Sequence, residues 1–135
     1  MNLAALLAVA LGGALGALLR YAFYWLPLVA TAERFPLGTL LVNVLGSLLA
    51  GFVFYWLMQH VALRPEWRSF LLVGVLGSFS TFSAFSLEVM SMLQQNRWRA
   101  ALVYITLSLV LCILMAFAGW LLGRKIWPAG RIIDE

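Results

Sequence analysis

Four apolar runs, each longer than the roughly 20 residues a helix needs to cross about 30 Å of hydrocarbon, constrain this chain most. The first is Leu3–Leu26, with Arg20 as its one charge. Leu37–Met58 has no charge, Phe70–Leu93 has only Glu88, and Ala100–Leu122 again has none. A spanning strand needs about 9–11 residues in strict alternation, a pattern these runs lack, so a β-barrel is excluded. Composition agrees: 64% of residues are hydrophobic and 10% charged, whereas soluble domains sit near 45–50% apolar and about 25% charged. The excess apolar surface must face lipid. The expectation is an all-α, multi-pass membrane protein with four transmembrane helices, residues 1–135 forming one transmembrane domain. Short segments join the spans: Pro27 to Pro36, Gln59–Ser69 with Pro65, Gln94–Arg99, and a tail from Gly123. The first run lacks a basic leading segment and is too long for a signal core, so it reads as a retained helix.

Charge and cysteine narrow the classes further. The net charge of +4 comes from basic residues scattered among loops, which suits lipid headgroups and excludes a nucleic-acid surface. Cys112, the one cysteine, lies mid-span and cannot staple the chain to itself. His60 is the sole histidine, and neither a metal-ligand cluster nor a nucleophile elbow is present, so no enzyme is expected. With four spans both termini share one side, which carries Arg64, Arg68, Arg124, Lys125 and Arg131. The other side has Arg34, Arg97 and Arg99, with Arg20 near it. So small a bias fits either one fixed orientation or insertion both ways, the latter allowing two copies to pack antiparallel. The polar groups inside the spans exceed what a lone four-helix bundle needs, which points to a homodimer. Gly12 and Gly16, Gly13 and Ala17, Gly46 and Ala50, and Ser47 and Gly51 recur at a spacing that lets helices approach closely.

The third span is the chemical anomaly. Gly74–Ser86 holds two glycines, five hydroxyls and three phenylalanines in thirteen residues. Gly77 to Thr81 is a poor helix former, so the span either breaks near its middle or continues with serines bonded to their own helix. A break would bare carbonyl oxygens, hard ligands suited to a small cation such as Na⁺. Phe79, Phe82 and Phe85, spaced by three, either pack or present positive ring edges to an anion. Asn43, the one carboxamide inside a span, either ties helices together or donates to a permeating species. Tyr104, Ser108 and Cys112 form one stripe along the fourth span, as a donor track or as interhelical contacts. Arg20, beside the aromatic group Tyr21–Trp25, either snorkels or lines a pore mouth, and Glu88 is expected at the interface.

Taken together these motifs resemble the bacterial fluoride channel family, often called Fluc or CrcB. Gly12-Gly13-Ala-Leu-Gly16-Ala-Leu-Leu-Arg20-Tyr21 is similar to its opening signature, and Gly38-Thr39-Leu-Leu-Val-Asn43-Val-Leu-Gly46 to its second-helix motif. Gly74-Val-Leu-Gly77-Ser-Phe-Ser80-Thr81-Phe82-Ser83-Ala-Phe85 resembles its third, usually written Thr-Thr-Phe-Ser-Thr-Phe. The likeness covers nearly the whole chain.

The resemblance implies an antiparallel, dual-topology homodimer in the bacterial cytoplasmic (inner) membrane, passing fluoride passively out of the cytoplasm. It implies a third helix broken near its middle, where backbone carbonyls of Gly77 and Ser80 hold a structural Na⁺ that is not transported. Asn43, Phe82, Ser83, Phe85, Tyr104, Ser108 and Cys112 would line the fluoride pathway, with Arg20 toward a vestibule. Two departures from the family pattern fall on expected site residues: Ser80 replaces a threonine, and Cys112 stands where a hydroxyl is common. The alternative is a small multidrug exporter, which needs a membrane-buried acid in its first helix. Here that helix carries Arg20 and no acid.

Overall fold

The computed structural model describes residues 2–26, 35–60 and 63–128. Most of the loop after Pro27, with Arg34, and the end of the tail, with Arg131, lie outside the described residues. Among the described residues every regular element is helical. Helix α1 is Leu3–Tyr24 and α2 is Leu37–Gln59. The third span comprises α3 (Pro65–Arg68), α4 (Ser69–Leu76, wound as a π-helix), α5 (Gly77–Phe79) and α6 (Phe82–Gln94). Helix α7 is Trp98–Ile126. Four spans, of 22, 23, 30 and 29 residues, are long and apolar enough to cross a membrane.

Local chemistry sets the helix ends. Asn2 caps α1 by accepting from the Ala4 amide at 3.1 Å, and its Nδ2 donates to Glu66 Oε1 at 2.7 Å. After α6 the chain reverses through Asn96, in the left-handed region at φ 56°. There the Arg97 amide bonds the Met92 carbonyl at 2.9 Å and the Asn96 amide the Leu93 carbonyl at 3.0 Å. That pair of hydrogen bonds closes the exposed carbonyl end, and asparagine tolerates the conformation it requires. At its far end α7 runs four residues past the expected Leu122, to Ile126. Arg124 and Lys125 in that last turn oppose the negative end of the helix dipole, and Tyr55 donates to the Trp127 carbonyl at 3.0 Å. Third-span helicity likewise starts at Pro65, whose fixed φ suits a first turn.

Close backbone approach pairs the helices. Helix α1 packs on α4 and α5, whereas α2 packs on α7 and α6 joins α7. A Cβ at Gly12 would lie 2.5 Å from the Phe70 carbonyl oxygen, and one at Gly16 2.2 Å from that of Val75. In the second pair a Cβ at Gly119 would lie 2.0 Å from the Leu48 oxygen. Gly119→Ala is therefore expected to force α2 and α7 apart and lose about 1–3 kcal/mol, read as a lower thermal midpoint in detergent. The two halves of the third span thus belong to different partners, α1 on one side and α7 on the other.

Aromatic residues mark both membrane boundaries. Trp25 and Trp98 stand at one end, where the Arg99 guanidinium lies 5.0 Å from the Trp98 ring. Trp56, Trp67, Trp120 and Trp127 stand at the other, with Arg124 5.8 Å from Trp120.

Candidate functional site

The break falls at Ser80 and Thr81, inside the poorly helical stretch. Ser80 is extended at φ −78°, ψ 159°, and Thr81 at φ −150°, ψ 120°. A backbone stripped of helical bonds at membrane depth must find other partners, and Asn43 on α2 supplies two. Its Nδ2 donates to the Thr81 carbonyl at 3.0 Å, and its Oδ1 accepts from the Thr81 amide at 2.7 Å. The carboxamide acts as a substitute peptide group. Thr81 in turn caps α6, its Oγ1 accepting from the Ala84 amide at 3.2 Å. Ser80 Oγ and the Ser80 amide both donate to the Leu76 carbonyl, at 3.1 and 3.2 Å.

The break takes helical donors away from the carbonyls of residues 77–80, and for two of them the donor's new partner is seen. In a continuous helix the Thr81 amide would bond Gly77, yet here it bonds Asn43. The Ala84 amide would bond Ser80, yet it bonds the Thr81 hydroxyl.

Beside the break lies a cavity of about 230 Å³, open toward the outside of the chain. Asn43 and Ser47 of α2, Ser80 and Thr81 of the break, Phe82 and Phe85 of α6, and Ser108 and Cys112 of α7 line it. Its wall holds no acidic side chain among the described residues. Ser108 is only 6% exposed, and its Oγ has no hydrogen-bond partner. Phe82 and Phe85 sit 5.4 Å apart between ring centroids, but differ in setting: Phe82 is 74% exposed and Phe85 8%.

A second polar group lies toward the α1 C-terminal end of the bundle. Glu88 accepts from Thr39 Oγ1 at 2.6 Å through Oε1 and from Tyr104 Oη at 2.7 Å through Oε2. Thr39 also shares a hydrogen bond with Tyr24 Oη at 3.1 Å. Thr39 and Tyr104 are almost wholly buried, and Tyr24, Thr39 and Glu88 border a smaller cavity of about 170 Å³. The Phe85 and Tyr104 rings, with centroids 5.1 Å apart, stand between the two groups.

Comparison with known proteins places the chain. A family model described as CrcB-like protein, Camphor Resistance (CrcB), matches residues 7–120. A protein of Hahella chejuensis named fluoride-specific ion channel FluC is 46% identical over 127 residues, covering 93% of this chain and 99% of that one. Proteins of the same name from Thermococcus kodakarensis and Rhizobium meliloti are 39% and 44% identical, over 93% and 90% of this chain and 100% and 97% of theirs. The chain belongs to the CrcB family.

Within this CrcB fold the expected residues divide. Asn43, Ser80, Phe82, Phe85, Ser108 and Cys112 converge on one cavity. Ser83 is turned to Thr81, its Oγ 3.2 Å from Thr81 Oγ1. Tyr104 shares the stripe of Ser108 and Cys112, but its hydroxyl is directed to Glu88, so the stripe serves two environments. Arg20 is partly exposed on α1 and does not line the cavity. Glu88 stands toward one end of the bundle, level with the last residue of α1 and the first turn of α2. It lies six residues, about 9 Å of helix rise, inside the end of α6, and both its oxygens are engaged. Thr39, Tyr24 and Ser47 had not been singled out for the site. The available signal for the first two was the lone acid in an otherwise uncharged span, which must recruit hydroxyl donors.

Proposed function

We propose that this CrcB chain forms a fluoride-selective channel that lets fluoride leave the cytoplasm passively, down its electrochemical gradient. The observation that carries this reading is the unpartnered Ser108 hydroxyl in a cavity at membrane depth whose wall offers donors and no acid. Buried donors without partners cost free energy unless a bound species completes them, and an anion does so. Fluoride holds its water tightly, so a path through the membrane must replace that shell. Ser108, the second N–H of Asn43, and the ring edges of Phe82 and Phe85 are the groups proposed to do this. A pore too narrow for chloride then selects the smaller ion. The names of the relatives support the same reading.

A homodimer accounts for the open side of the cavity. Phe82 projects from the chain with 74% of its surface uncovered. A second, antiparallel copy would cover it and complete two pathways. Glycine-lined contacts already occupy α1 and α7 within one chain, which leaves the face around Phe82 for the partner.

A structural Na⁺ fits the break. Gly77 and Ser80 would hold it through the carbonyls whose amide donors are diverted, and carbonyl oxygens are hard ligands suited to that ion. Bound there, it would supply a fixed positive charge close to the anion path. Asn43 keeps the diverted Thr81 amide in place and thereby preserves the ligand set. The bacterial cytoplasmic membrane is the setting in which such efflux is useful, because fluoride enters as the neutral acid and dissociates inside. The exporter alternative loses ground further, since the one acid within the four apolar runs, Glu88, lies in the third with both oxygens bonded.

Purified protein in liposomes is expected to release fluoride under a potassium-clamped potential, with no comparable chloride release. Efflux is expected to require Na⁺ during preparation. Equal flux of both halides, or none of either, would overturn the reading.

A further inference from the structure

Cys112 lies one turn beyond Ser108 on α7, and both line the cavity beside the break. The thiol is free and partly exposed. Ser108 Oγ, more than nine-tenths buried with its residue and without a partner, independently marks this wall as one that completes its bonding to something outside the chain. A sulfur atom on the same wall is reachable by whatever small species enters the cavity. We propose that Cys112 is a covalent modification site within the anion path: small, sulfur-directed electrophiles react with it, and the modified channel is closed. The inference rests on the channel reading above and goes beyond it.

The chemistry needs no added oxidant. With methyl methanethiosulfonate, the Cys112 thiol gives its proton to water and the thiolate attacks the sulfenyl sulfur. A new S–S bond forms, the bond to the sulfonyl sulfur breaks, and methanesulfinate leaves with the electron pair. The product carries a methylthio group in place of a weak S–H donor. An apolar group one turn from Ser108 fills part of a cavity of about 230 Å³ and offers nothing to replace fluoride's water. Closure follows from both effects.

The experiment uses the whole chain, in which Cys112 is the only cysteine. Fluoride efflux from liposomes is measured before and after treatment with methyl methanethiosulfonate, and mass spectrometry counts the methylthio groups added. Full modification is expected to lower efflux about tenfold or more, as an apolar constriction does to an ion path. Reduction with dithiothreitol is expected to restore it. The Cys112→Ser variant is expected to take up no methylthio group, and whatever rate of efflux it has is expected to stay the same through treatment. Unchanged efflux through fully modified protein would overturn the inference alone, as would a thiol that reacts only after denaturation. Absence of fluoride efflux before any reagent would overturn the channel reading and this inference with it.

Discussion

Asn43→Leu is expected to abolish fluoride flux and to destabilise the folded protein by about 2–6 kcal/mol. Leucine keeps the branched heavy-atom outline of asparagine but offers neither a donor nor an acceptor. The Thr81 amide and carbonyl, both now bonded to Asn43, would be left at membrane depth without partners. Each such group costs about 1–3 kcal/mol, and the two come from one side chain. The chain at Ser80 and Thr81 then has two ways to recover. It can recapture helical bonds, which returns donors to the Gly77 and Ser80 carbonyls and removes the proposed cation ligands. Alternatively it can stay extended and unsatisfied. Either way the cavity wall moves. Thermal denaturation followed by gel filtration in detergent, with efflux measured alongside, checks both halves. A variant with unchanged midpoint and flux would mean that the clamp seen here does not hold the break.

Phe82→Ile is expected to separate function from stability. The ring is largely uncovered in the single chain and lies beside Phe85. Its loss should shift the stability of the chain by no more than about 0.5 kcal/mol, as for other exposed positions. Flux should vanish all the same, because isoleucine keeps apolar bulk but has no ring edge to face an anion. Crosslinking or gel filtration is expected to show the same oligomer as the parent protein. Conduction at the parent rate through Phe82→Ile would remove the ring edge from the proposed mechanism. The contrast between the two variants is diagnostic: one removes the frame of the pathway, the other only its surface.

The sequence reading succeeded where composition and periodicity bear on one segment at a time. Apolar run length places all four spans, with ends off by a few residues where caps decide. Glycine, serine and threonine between Gly77 and Thr81 mark a weak helix, and the chain does leave the helix at Ser80. Periodicity was less reliable for contacts. It put Tyr104 on one stripe with Ser108 and Cys112, which is correct as helix geometry. It could not show that Tyr104 finds an acid on α6 before it meets the cavity. Glu88 shows the same limit: its distance along the chain from a span end does not report which hydroxyls stand beside it.

By itself, then, the order of residues settled the number of spans, their approximate extent, their lipid setting and the family, because each follows from local composition or from motif spacing. Only the tertiary structure decided which partner each polar group takes. Asn43 and Thr81 are 38 positions apart, and Thr39 and Glu88 are 49. Helical spacing says which way a side chain points and nothing about which helix stands opposite. That second fact depends on where glycines let two backbones meet, and a meeting is a property of the folded chain.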